Sequence, residues 1–97
     1  MALIDEVKVA LRISTDDAGI TAEIETLIEA AKLDLTKTAD IADFTEPDSL
    51  VKRAIITYVK SMWTNDSVEA ERLTKSYESF KATLAMSSAY GTYSEES

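Results

Sequence analysis

The sequence predicts an all-α fold: a small four-helix bundle-like domain with a mobile C-terminal tail. Three observations lead there. Glycine and proline are scarce, two and one in 97 residues, whereas a sheet of this size needs several glycine-based turns. Alanine, leucine, glutamate and lysine are plentiful. Apolar residues recur at steps of three and four, interrupted by short clusters of capping residues. The length fits one domain over residues 1–97, with 89–97 as the tail, a modest core and little surplus stability.

The first helix is expected over about residues 2–12, with Leu3 or Ile4, Val7, Ala10 and Leu11 at helical spacing. Asp5 and Glu6 lie near its start and Arg12 near its end, as the helix dipole favours. Ser14, Thr15, Asp16 and Asp17 then supply N-cap types. The second helix, about residues 17–38, carries one stripe of Ile20, Ile24, Leu27, Ile28, Ala31 and Leu35, with Glu23, Glu25, Glu29, Lys32 and Asp34 facing elsewhere.

A connection follows in which Ile41 and Phe44 are expected to fold back onto the core. Thr45, Pro47 and Asp48 form a capping-box-like helix start. The third helix, SLVKRAIITYVKSMW, shows a broad apolar face of Leu50, Val51, Ala54, Ile55, Tyr58, Val59, Met62 and Trp63, which predicts a central position. Asn65, Asp66 and Ser67 open a fourth helix, about residues 67–88, with Val68 or Ala70, Leu73, Tyr77, Phe80 and Leu84 on one side. Gly91 predicts that the helix does not extend through the tail SSAYGTYSEES.

Composition excludes several function classes. The net charge is −8, contrary to a protein that wraps nucleic acid through a basic patch. The acidic excess lies mostly in residues 1–45, with four Lys/Arg against ten Asp/Glu. Cysteine and histidine are absent, which removes disulfides, thiolate chemistry, the usual zinc sites and histidine-based catalysis. No apolar run has membrane-span length, and the N-terminus has no basic stretch of the kind that opens a signal peptide.

Two motifs invite a chemical reading. Asp48-Ser49-Leu50 matches the tripeptide to which acidic four-helix acyl carrier proteins attach phosphopantetheine. However, those carriers follow it with an acidic helix, whereas VKRAIITYVK is basic and apolar. Three residues carry little specificity, and a serine in a first helical turn explains Ser49 more simply. The acids Glu23, Glu25, Glu29 and Asp34 lack histidine partners, and a solvated helix face explains them better than a metal site. Tyr58, Trp63, Tyr77 and Phe80 are expected in the core. Tyr90 and Tyr93 stand apart, because a purely solubilising tail needs no tyrosines; they are candidate partner-docking residues.

The stretch LIDEVKVALRISTDDAGITAEIETLIEAAKLDL resembles the opening of the small head–tail connector (adaptor, or head-completion) proteins of tailed bacteriophages. The shared features are a short helix closing on Val-Lys-x-x-Leu-Arg-Ile, an Asp-rich break, and a helix containing Leu-Ile-x-Ala-Ala-Lys. PDSLVKRAIITYVKSMW looks like their proline-initiated helix closing on an aromatic, and YESFKATLAMSSAY is similar to the C-terminal helix of versions from phages of Gram-positive bacteria. The stretch TKTADIADFTEPDS departs from the pattern by lacking the glycine often found after the second helix.

The resemblance implies a structural, non-enzymatic virion subunit with no cofactor, metal or catalytic residue. It implies a head-to-tail homo-oligomeric ring of about a dozen copies beneath the portal, adjoining a stopper or tail-completion protein. DNA would pass through the ring without sequence-specific binding. Glu23, Glu25 and Glu29 are then candidate channel- or solvent-facing acids, since acids repel phosphates over roughly a 10 Å screening length. Tyr90 and Tyr93 would grip the portal or a neighbouring subunit. The alternatives are a carrier protein with its prosthetic group on Ser49, or a small acidic protein-binding module that mimics nucleic acid.

Overall fold

A computed structural model describes residues 3–14, 17–39, 41 and 49–96, with side chains described through residue 86. Four helices follow in order: α1 (Leu3–Leu11), α2 (Ala18–Ala39), α3 (Ser49–Trp63) and α4 (Ser67–Glu96). No strand occurs among the described residues. The all-α expectation therefore holds.

Three helix boundaries have a clear local cause. Asp17 caps α2, its carboxylate accepting the Ile20 N–H at 3.0 Å and its carbonyl accepting that of Thr21. Asp66 caps α4 by accepting the N–H groups of Val68 and Glu69 at 2.9 and 3.2 Å. Helix α1 closes in a Schellman arrangement. Arg12 takes the left-handed conformation at φ 61°, its N–H donating to Val9 O and that of Ile13 to Lys8 O. Glycine usually fills that position because other residues pay a Cβ clash of roughly 1–2 kcal/mol. The predicted cap of α3 at Thr45, Pro47 and Asp48, and Phe44, lie outside the described residues.

The core is built from the predicted stripes. Val7 of α1, then Ile24, Ile28, Ala31, Leu35 and Ala39 of α2, pack with Val51, Ala54, Ile55 and Val59 of α3 and with Tyr77 and Leu84 of α4. Burying each such Val, Ile or Leu contributes about 1.5–3 kcal/mol. Helix α3 packs against each of the other three, which confirms its central position. Ile41 is half-buried against this core, as expected. Two residues expected on apolar faces turn outward: Met62 is 58% exposed and Val68 77%. Trp63 and Ala70 beside them stay partly buried, so the apolar stripe at this junction is narrower than the sequence pattern.

The α4 backbone stays helical through Gly91 to Glu96, beyond the end expected near residue 88. One glycine costs about 1 kcal/mol in a helix, too little by itself to end a helix that already runs unbroken from Ser67. At 1.5 Å per residue its 30 residues run nearly the 48 Å length of the molecule.

Candidate assembly surface

The sequence-predicted acids Glu23, Glu25 and Glu29 are all exposed on α2. Glu29 reaches Lys32 at 3.3 Å, with its side chain 72% exposed. Glu25, Glu29 and Lys32 border a cleft of about 440 Å³ whose apolar wall is Leu3, Ile4 and Ile28. The cleft lies where the start of α1 meets α2 around Ile28.

Asp34 does not belong with these solvated acids. It is half-buried and ties α2 to α4: the Tyr77 hydroxyl donates to its Oδ2 at 2.7 Å and Lys81 Nζ donates to the same oxygen at 3.0 Å. Lys81 also meets Glu78 at 3.1 Å and lies 5.0 Å from the centre of the Tyr77 ring. Partial burial pushes the Asp34 carboxyl up, but the Tyr77 and Lys81 bonds more than offset it and hold it below the usual 3.8. Burial lowers the Lys81 ammonium, yet Asp34 and Glu78 outweigh it and raise it above 10.5. Burial first, then the Asp34 bond, pushes the Tyr77 hydroxyl well above 10.0. This cluster fixes helix geometry; Tyr58 stacks edge-on against Tyr77, ring centres 5.1 Å apart.

A second cleft, about 350 Å³, opens where the end of α1, the end of α3 and the start of α4 meet. Ala10, Leu11, Arg12, Lys60, Trp63 and Thr64 line it, with Glu69. Arg12 projects from the left-handed turn described above. Neither Arg12 nor Lys60 forms an ion pair among the described residues. The sequence reading had assigned Arg12 only to a helix end, and Trp63 only to the core. Nothing local links Arg12 to Lys60; their meeting is a product of α1 packing on α3.

Tyr90 and Tyr93 lie on the helical backbone of α4, and their side chains are outside the described residues. Ser49 is the exposed first residue of α3, followed by the basic and apolar surface already noted. Among the described residues no group of three or more acidic side chains could hold a metal ion, and no helix is long and apolar enough to cross a membrane.

Compared with known protein families, the chain matches the one described as phage connector protein, over residues 3–91. The chain belongs to the phage connector protein family. No curated protein and no solved structure matches it. Membership assigns this connector to the head–tail joint of a phage virion and points to a structural rather than an enzymatic part. The match takes in all four helices, so both clefts and the Asp34 cluster are features of the connector region itself.

Proposed function

We propose that the chain is the repeating subunit of a connector ring that docks beneath the portal and carries the DNA channel toward the tail. The observation that carries this reading is the family match across residues 3–91. It is supported by an exposed acidic α2 face and by distinct charged clefts at the two ends of α1. The mechanism is mechanical and electrostatic. Neighbouring subunits bury the surplus apolar surface, and the acids Glu23, Glu25 and Glu29 give the passing DNA backbone nothing to adhere to. The ring holds about a dozen copies, assembles in the host cytoplasm, and meets a stopper or tail-completion protein on its far side. The segment bearing Tyr90 and Tyr93 grips the portal or a neighbouring subunit.

Electron microscopy and native mass measurement test this on the protein alone and mixed with its cognate portal. Rings, or added density on the tailward face of the portal, are expected. A monomer that never engages the portal refutes the reading. Deleting residues 89–97 is expected to abolish portal binding or ring formation; if both are unchanged, the tail is removed from the mechanism.

A further inference from the structure

We infer that the Arg12–Lys60–Trp63 cleft receives a second copy of this chain, and that the part received is the Glu25–Glu29 cleft at the other end of α1. The inference rests on the ring reading and names the mating surfaces; it places Glu25 and Glu29 in the contact between copies rather than against the DNA, and leaves Glu23 as the acid of that set free to face the channel.

Charge is the first argument. In a chain of net charge −8, cations are expected to be consumed by local carboxylates. Lys32, Lys52, Arg72, Lys75 and Lys81 are each bridged in this way. Arg12 and Lys60, like Lys37 and Arg53, have no such partner among the described residues, but Arg12 and Lys60 border one cleft, two cations against the single acid Glu69. Glu23 and Glu25 are the counterpart: exposed acids with no cation bridged to them among the described residues. Glu29 pairs with Lys32 at 3.3 Å through a side chain that is itself 72% exposed, and a surface pair of this kind contributes little.

Backbone conformation is the second argument. A glycine would close α1 at φ 61° without the Cβ clash. The arginine there puts a guanidinium at the cleft's lip, well suited to a bidentate grip on a carboxylate. Apolar surface is the third. Trp63 walls the cleft, and Val9, Met62 and Val68, 58–77% exposed, lie on the same three segments. The acidic cleft offers Leu3 and Ile4 in return. An apolar centre with complementary charges is the composition of a specific interface.

The two clefts sit at opposite ends of a nine-residue helix, about 13 Å apart at 1.5 Å per residue. A twofold dimer through either one would set Arg12 against Arg12, or Glu25 against Glu25. Pairing one cleft with the other avoids both, and where each copy gives its two clefts to two different neighbours the contact is heterologous and propagates from copy to copy, as the ring reading requires.

The test is a charge swap read by native mass spectrometry and analytical ultracentrifugation, on wild-type protein, R12E/K60E and E25K/E29K, each with and without portal. Each variant alone presents like charges across the contact and is expected to self-associate at least about a hundredfold more weakly than wild type. Mixed one to one, the variants restore both attractive contacts and are expected to assemble in alternation. Circular dichroism establishes that both variants fold; if one does not, R12Q/K60Q and E25Q/E29Q replace the pair, with weakened assembly of each expected. Wild-type rings accompanied by variant rings of equal stability overturn this contact and leave the ring reading standing. Loss of assembly in both variants without rescue on mixing also overturns it. A wild-type protein that stays monomeric even on the portal overturns the ring reading and the contact together.

Discussion

Replacing Tyr77 with phenylalanine deletes one oxygen and leaves the ring, its 3% exposure and its edge-on contact with Tyr58 in place. The loss is the 2.7 Å hydrogen bond to Asp34. A hydrogen bond to a charged partner contributes roughly 1.5–3 kcal/mol. The Asp34 side chain is 35% exposed, so water and Lys81 replace part of the lost solvation; the expected cost is about 1–1.5 kcal/mol. For a chain of this size that lowers Tm by about 4–10 °C. Urea unfolding followed by the fluorescence of Trp63, the only tryptophan, measures it directly. A double-mutant cycle with Asp34→Asn isolates the pair, with a coupling of about 1 kcal/mol expected. Additivity within about 0.3 kcal/mol, or a phenylalanine variant as stable as wild type, would show that the bond does not hold α4 to α2.

Acid titration probes the same cluster. Asp34 is depressed below 3.8 in the folded protein, so its stabilisation is present above that value and is lost as pH falls through the lower folded one; Asp34→Asn should flatten this part of the stability–pH curve. At the alkaline end Tyr77 is raised, so its share is intact below pH 10.0 and fades above it, an effect absent from Tyr77→Phe. Asp66→Ala removes the acceptor for two N–H groups of α4 and should cost about 1 kcal/mol in urea midpoint measurements. Ile55→Ala, at a fully buried site of the central helix, should cost about 2–5 kcal/mol. Arg12→Gly relieves the left-handed turn and should raise stability by up to about 1 kcal/mol, while weakening self-association measured by ultracentrifugation.

The helices were legible because their signals are local. The α2 stripe recurs at steps of three and four, and Asp17 and Asp66 are capping residues standing at real starts. What escaped the sequence depends on distant partners. Asp34 looked like another solvated acid because Tyr77 and Lys81 lie two helices away. The turn at Arg12 carries no glycine to announce it. Met62 continues the α3 apolar pattern, yet it faces solvent while its neighbour Trp63 packs on the core. The basic cleft joins residues from the ends of two helices, and neither end is unusual alone. Tyr90 and Tyr93, by contrast, were singled out by composition, and their side chains fall outside the described residues.

Helix α1 is nine residues long with Val7 as its one fully buried side chain. So short a helix does not persist by itself in water; it exists because it is docked on α2 and α3, with the Glu6–Lys52 bridge at 3.3 Å adding a modest tether. It is therefore the segment most readily opened by sub-global fluctuation. Both clefts borrow their lining from it. On the contact inferred above, a copy whose α1 has lifted away would lose both mating surfaces in the same event, so the docking equilibrium of nine residues would set the fraction of subunits competent to join a ring. Contact with a neighbour would then close that equilibrium, and amide exchange in α1 should slow most when subunits meet.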